Sequence, residues 1–277
     1  MTLVRRQQLV RLAREYDALI ITDDVYDQLQ WPSSTSSLTS STSSPNAGLR
    51  KAQISRLVDI DRTLDGGASN FGNAASNGSF SKILGPGVRT GWIEGTPKFV
   101  YGISQTGTSR SGGAPSHLTA TFVARLLETG ELQKHIFTCL QPSYRRRYYK
   151  MLEAIKHHLV PLGARMPQED REVVGGYFVW VKLPVNAAAL AKKAKEVENL
   201  IVAEGTIFEV PGDREIANFP NEIRLCFAWE DEGKLAEGIE RLASLVKLML
   251  VEKNDYDDIK VSRPNMEENP EEEEMYW

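Results

Sequence analysis

Cysteine is scarce in this chain: Cys139 and Cys226 are the only two in 277 residues, and they stand far apart. They form no CxxC pair and no metal-type cluster, a pattern that fits a reducing compartment, and no metal is expected. Long apolar runs are missing as well. No stretch approaches the roughly 18 uninterrupted apolar residues of a membrane span, so no membrane partner is expected. Charge of one sign is not in excess either, and a formal net charge of −4 gives no reason to expect nucleic acid. The opening MTLVRRQQLVRLAREYDALI has charges threaded through it and lacks the apolar core and small-residue cleavage site of a secretory signal. Arg5, Arg6, Arg11 and Arg14 suggest a transit peptide, but the same residues make a good globular helix leading into a strand, and the expected location is the cytosol. No internal repeat occurs.

What is present is ordinary for a soluble globular protein, with 41% hydrophobic and 25% charged residues in a length that suits one large or two modest domains. Leu9, Leu12, Ala13 and Tyr16 recur at helical spacing and predict a helix with one apolar stripe. Ala18 to Thr22 is a short run rich in β-branched residues that predicts a strand buried on both faces, ending at Asp23 and Asp24. Residues 33–78 are rich in Ser, Thr, Gly and Asn and read mostly as a mobile insertion, with Leu57–Ile60 as a strand inside it. Thr90 to Glu94 reads as a strand, Thr96-Pro97 as a helix start, and Pro115 to Thr129 as a helix. A long helical stretch follows from Glu131 to Leu159, with a junction at Pro142. GGYFVWVKLP and EIRLCFAW read as strands of a smaller α+β unit that closes with a C-terminal helix. The expected division is 1–150, 151–252 and a disordered acidic tail at 253–277.

Four motifs carry chemistry. Asp23-Asp24-Val25-Tyr26 ends a strand, where open α/β sheets place ligands; alone it suits a solvated acidic turn better. Ser79-Phe80-Ser81-Lys82 sets a lysine beside small hydroxyls that can donate to a phosphate, though alone it is any loop lysine. Gly85-Pro86-Gly87-Val88-Arg89 lets backbone approach an anion and offers a guanidinium fork, or is a plain turn. Arg224 lies in a strongly apolar strand and needs an anionic partner, either a substrate carboxylate or an internal one such as Glu222.

Taken in order, DDVY, SFSK, PGxRxGW, GGYFxW and IRLxFA resemble the class I/II aminotransferases of pyridoxal-phosphate fold type I, from about residue 3 to residue 250. The resemblance implies an α/β fold: part of the large domain, a mostly parallel sheet with helices, followed by the smaller C-terminal α+β domain. It implies pyridoxal 5'-phosphate as cofactor, held by Lys82 through a Schiff base, with Lys82 also moving the substrate's proton. Asp23 would hold the pyridine nitrogen, Tyr26 the ring hydroxyl, and Ser79, Ser81 and Arg89 the phosphate. Arg224 would bind the α-carboxylate of the amino acid or 2-oxo acid. The wording of GGYFVWVKLP and PGVRTGWIEG is similar to the branch that handles 2-aminoadipate, aromatic or branched-chain amino acids. A homodimer is the usual family assembly.

The resemblance begins part-way through the family's pattern. Members carry a segment ahead of DDVY with a Gly-rich phosphate turn, a stacking aromatic and an NPTG-like Asn, and none of these is found here. An open sheet edge, uncovered apolar faces and weak catalysis are therefore expected of the chain. A lyase of the same fold and an interaction module are the competing expectations.

Overall fold

The computed structural model describes residues 1–33, 54–110, 116–166, 173–212 and 218–261. Two compact units divide it: Met1–Tyr149 with Gln168–Phe178 and Phe227–Trp229, and Lys150–Pro167 with Val179–Cys226 and Glu230–Trp277.

In the first unit, helix α1 (Leu3–Glu15) starts on a Thr2 cap, whose hydroxyl accepts the Arg5 amide. Strand β1 (Ile20–Asp23) follows. Helix α2 (Leu57–Thr63) occupies the position where a strand was expected. Its LVDI run is short enough to fit either period, and two local factors select the helix. Leu57, Ile60 and Asp61 share one buried face, and the Asp59 carboxylate accepts the Arg56 amide at 3.1 Å to close the first turn. The expected insertion is also interrupted by strand β3 (Ala74–Ser79), which lies in the middle of a β1-β3-β4 sheet with β4 (Gly91–Glu94). β1 and β3 run parallel, β3 and β4 antiparallel. Residues 34–53, the Ser-rich part of that insertion, lie outside the described residues.

β3 is built from small residues because both its faces are crowded. Ala75 and Ser76 are fully buried, and a Cβ at Gly78 would collide with the Trp92 indole. Packing thus overrides the weak strand preference of Ala, Asn and Gly. Val10, Leu57, Ile60 and Ala74 form a core between the helices and one sheet face. The α1 stripe is turned from the one expected: Val10 and Ala13 are buried, whereas Leu12 is 50% exposed and Tyr16 71%. β1 is not buried on both faces, since Ile20 and Thr22 face inward and Ile21 is 64% exposed.

Beneath these elements a buried carboxylate joins three of them. Asp61, 1% exposed, accepts two bonds from the Arg14 guanidinium on one oxygen and the Asn73 and Ala74 amides on the other, at 2.8 and 3.1 Å. Its charge is fully matched, the condition under which a buried ion is tolerated.

Helix α3 (Pro97–Ser104) has the expected Thr96 cap and Pro97 start, α4 (Gly107–Arg110) is a single turn, and α5 (His117–Glu128) is capped by Ser116. Helix α6 (Glu131–His135) passes through a π turn at Ile136–Leu140 into α7 (Gln141–Ala154). The widened turn sits just ahead of Pro142, whose ring would press on the carbonyl four residues back in a regular helix. Strands β2 (Gln30–Pro32) and β5 (Val173–Gly175) form a separate antiparallel ribbon.

In the second unit, β6 (Phe178–Lys182), β7 (Ala203–Glu204) and β8 (Glu222–Cys226) make a sheet ordered β6-β8-β7. Helix α8 (Ala187–Glu198) is capped by Asn186 and packs with α9 (Lys234–Val261). α9 runs into the expected tail as far as Val261, so that stretch begins as helix. Among the described residues no helix is long and apolar enough to cross a membrane, and no cluster of His, Cys, Asp and Glu is set to hold a metal.

Candidate active site

Parallel pairing of β1 with β3 sets their carboxyl ends level, with Asp23 in register with Asn77. Candidate side chains gather there because β1 stops at Asp23 and β3 runs only two residues past Asn77. Asp23 is exposed, and one of its oxygens accepts the Asn77 side-chain amide at 3.1 Å. Asp24 is engaged differently: its Oδ2 accepts the hydroxyls of Thr22 and Ser76, each at 2.6 Å. The second acid therefore braces the strand pair, and the first is presented outward.

Ser79 ends β3 and caps the turn Phe80–Lys82, its hydroxyl accepting the Ser81 amide at 3.0 Å and donating to the Ser81 hydroxyl at 2.8 Å. Phe80 is buried against Trp92, ring centroids 4.7 Å apart, which anchors the turn. Lys82 is then held partly exposed with its ε-nitrogen 5.8 Å from the centroid of Tyr26 and 5.7 Å from that of Tyr177. The Tyr177 hydroxyl donates to the Lys82 carbonyl at 2.9 Å. Tyr26 stands edge-on to Tyr177 at 5.0 Å, and Tyr144 lies on the other side of Tyr177 at 4.8 Å.

Arg89 belongs to the loop joining β3 to β4 but takes its own course. It is exposed, sits in the left-handed region at φ 45°, and donates to the Pro86 carbonyl at 3.1 Å. Arg224 belongs to the second unit, on β8, with its guanidinium 4.5 Å over the Phe208 ring. Glu222, the internal carboxylate weighed as its partner, accepts from Lys182 at 3.2 Å. Asp23, Tyr26, Ser79, Ser81 and Lys82 thus converge on one end of one sheet; Arg89 shares their loop, and Arg224 is described apart from them.

A cleft of about 1270 Å³ opens beside this end, lined by Asp23, Asp24, Tyr26, Asp27, Gly176 and Tyr177 among others. Burial pushes the Asp27 carboxyl up to about 6, against the opposing charge of Arg56 at 3.7 Å, with Asp24 and Asp59 adding to the rise. Arg56 also grips Glu94 at 2.7 and 3.0 Å, and these bonds hold the Glu94 carboxyl below its ordinary value. Tyr177, Tyr144 and Asp27 were not singled out from the sequence. The signal for Tyr177 was the Gly-Gly pair before it, which marks a close backbone approach.

Residues 2–242 match the family model for "Aminotransferase class I and II". An uncharacterised protein of Saccharomyces cerevisiae, YER152C, is 34% identical over 91% of this chain and 54% of its own length. An aromatic-amino-acid aminotransferase of Thermococcus litoralis is 29% identical, and a 2-aminoadipate transaminase of Thermus thermophilus 27%, each over 88% of this chain and 49% and 53% of their own lengths. The crystal structure of a kynurenine aminotransferase of Pyrococcus horikoshii superposes with a TM-score of 0.67 at 28% identity, covering 90% of this chain and 53% of that one. The chain spans about half the length of the relatives it matches.

Proposed function

The chain belongs to the class I and II aminotransferases, and from that premise we propose that it transfers an amino group between an amino acid and a 2-oxo acid with Lys82 as the cofactor lysine. The observation that carries this reading is the Lys82 amine, set beside the paired Tyr26 and Tyr177 rings just past the end of β3, near the end of β1 where Asp23 is presented.

The residues fit pyridoxal 5'-phosphate, the family's cofactor. A primary amine stands among aromatic rings, a carboxylate lies at the neighbouring strand end, and two linked hydroxyls cap the intervening turn. When bound, the cofactor supplies an electron sink that lets the substrate's Cα give up a proton. Lys82 would hold it through its ε-nitrogen and carry that proton once released. Asp23 would keep the pyridine nitrogen protonated by placing a negative charge beside it. Tyr26 would hydrogen-bond the ring hydroxyl, and Ser79, Ser81 and Arg89 would donate to phosphate oxygens. Arg224 would pair with the substrate's α-carboxylate, for which its planar fork is suited. A 2-aminoadipate, aromatic or branched-chain substrate is favoured by the motif wording, and the names of two relatives support the first two.

The test is cofactor capture followed by turnover. Chain mixed with pyridoxal phosphate and reduced with borohydride should carry the label at Lys82, and amino transfer should require a 2-oxo acid. Lys82→Ala should lose the label and at least about 10²–10⁴-fold in rate, the range for a positioned proton-transfer group. A label spread over surface lysines would refute the assignment. Turnover independent of 2-oxo acid would favour elimination chemistry.

A further inference from the structure

Tyr177 reaches Lys82 from a different part of the chain, and the route by which it gets there is tightly constrained. Gly175 is the last residue of β5, opposite Gln30, and a Cβ there would collide with the Leu29 carbonyl oxygen. Gly176 takes φ 79° and donates its amide to that same carbonyl at 2.9 Å. The Tyr177 carbonyl accepts the Phe227 amide at 3.0 Å. Backbone bonds on both sides thus fix where the side chain starts.

The side chain then touches Lys82 at both of its ends. Its hydroxyl donates to the Lys82 carbonyl at 2.9 Å, and its ring lies 5.7 Å from the Lys82 ε-nitrogen. Tyr144 donates its hydroxyl to the Tyr177 oxygen at 3.1 Å, which commits the Tyr177 proton to the lysine's carbonyl and gives the series a single direction. Tyr144 comes from α7 and Tyr26 from the turn after β1, so three separate segments converge on this ring.

We propose that Tyr177 is a positioning residue for Lys82, holding the turn through its hydroxyl and directing the amine through its ring. Tyr144 orients the hydroxyl. This inference rests on the reading of Lys82 as the cofactor lysine, but it makes a claim of its own about the order of one side chain, and the two can be told apart.

The experiment uses the full chain as wild type, Tyr177→Phe, Tyr177→Leu and Tyr144→Phe, with two probes mapped by peptide mass spectrometry. The first is pyridoxal phosphate with borohydride; the second is formaldehyde with cyanoborohydride, which needs no cofactor site. Loss of one hydroxyl bond in Tyr177→Phe should slow pyridoxal labelling at Lys82 roughly threefold to tenfold, and Tyr177→Leu should slow it further. Tyr144→Phe should fall between wild type and Tyr177→Phe. Formaldehyde labelling of Lys82, measured against Lys98, should rise in the reverse order as the amine is released. Rescue by the Phe variant relative to Leu identifies the ring's share. If wild-type Lys82 takes no pyridoxal label, the cofactor reading fails, and the formaldehyde series alone judges the positioning. Equal formaldehyde labelling of Lys82 in all four proteins would overturn it.

Discussion

In the first unit Asp61 lies 1% exposed with Arg14 and two backbone amides on its oxygens, and Arg56 links Glu94, Asp59 and Asp27. The second unit buries Leu190, Ile223, Leu242 and Val246 to 1% or less and turns ion pairs such as Lys193–Glu252 toward solvent, while Lys182–Glu222 has a buried carboxylate. The first unit adds a network of partly desolvated charge to its apolar cores, and the second relies mainly on hydrocarbon. Charge networks hold strands and turns at defined positions, because a hydrogen bond is directional and an apolar contact is not. The network lies in the unit that carries Lys82, the proposed cofactor lysine.

Four substitutions probe that contrast, each followed by denaturant unfolding of the purified chain. Asp61→Ala should be the most damaging, costing about 3–5 kcal/mol, because it strands a half-buried guanidinium and two backbone amides. A loss below about 1 kcal/mol would show that the charge network holds nothing. Leu242→Ala should cost about 2–5 kcal/mol through lost burial and the cavity left behind, with no dependence on pH. Asp27→Asn has an effect whose sign turns on pH. The folded carboxyl titrates at about 6, above its unfolded value, so the folded state binds the extra proton and stability declines as pH rises from about 4 to about 6. The amide removes that decline. Relative to wild type it should gain on the order of 1 kcal/mol between pH 4.5 and 7.5, after discounting for partial exposure and for the lost Arg56 contact. A pH-independent difference would contradict the assignment. Lys193→Ala should change stability by less than about 1 kcal/mol and fade further in salt, since the pair is solvent-facing.

The residues legible in the sequence are those whose chemistry is local. Asp23, Tyr26 and Lys82 stand in short motifs at strand ends, and the fold brings them to one end of one sheet. The Thr96 cap and Pro97 start are equally local and read correctly. What escaped depends on partners distant in the chain. β3 reads as insertion because Ala, Asn and Gly carry no strand signal until β1, α2 and Trp92 crowd around them. α2 reads as a strand because four apolar-rich residues fit both periods. The Arg14–Asp61 bond spans 47 residues and leaves no trace in local spacing. Tyr177 stands out only as part of a motif, since nothing nearby in sequence says that its hydroxyl meets the Lys82 carbonyl 95 residues away.

Strand alternation puts Ile21 and Asp23 on the same outward face of β1, two residues apart. A surface that comes to lie over Ile21 therefore also removes water from around Asp23. With a lower local dielectric, that carboxylate would attract a proton-bearing ring nitrogen more strongly than in open solvent. Should Asp23 hold the cofactor's ring nitrogen as proposed, the strength of that grip would depend on what shields an isoleucine.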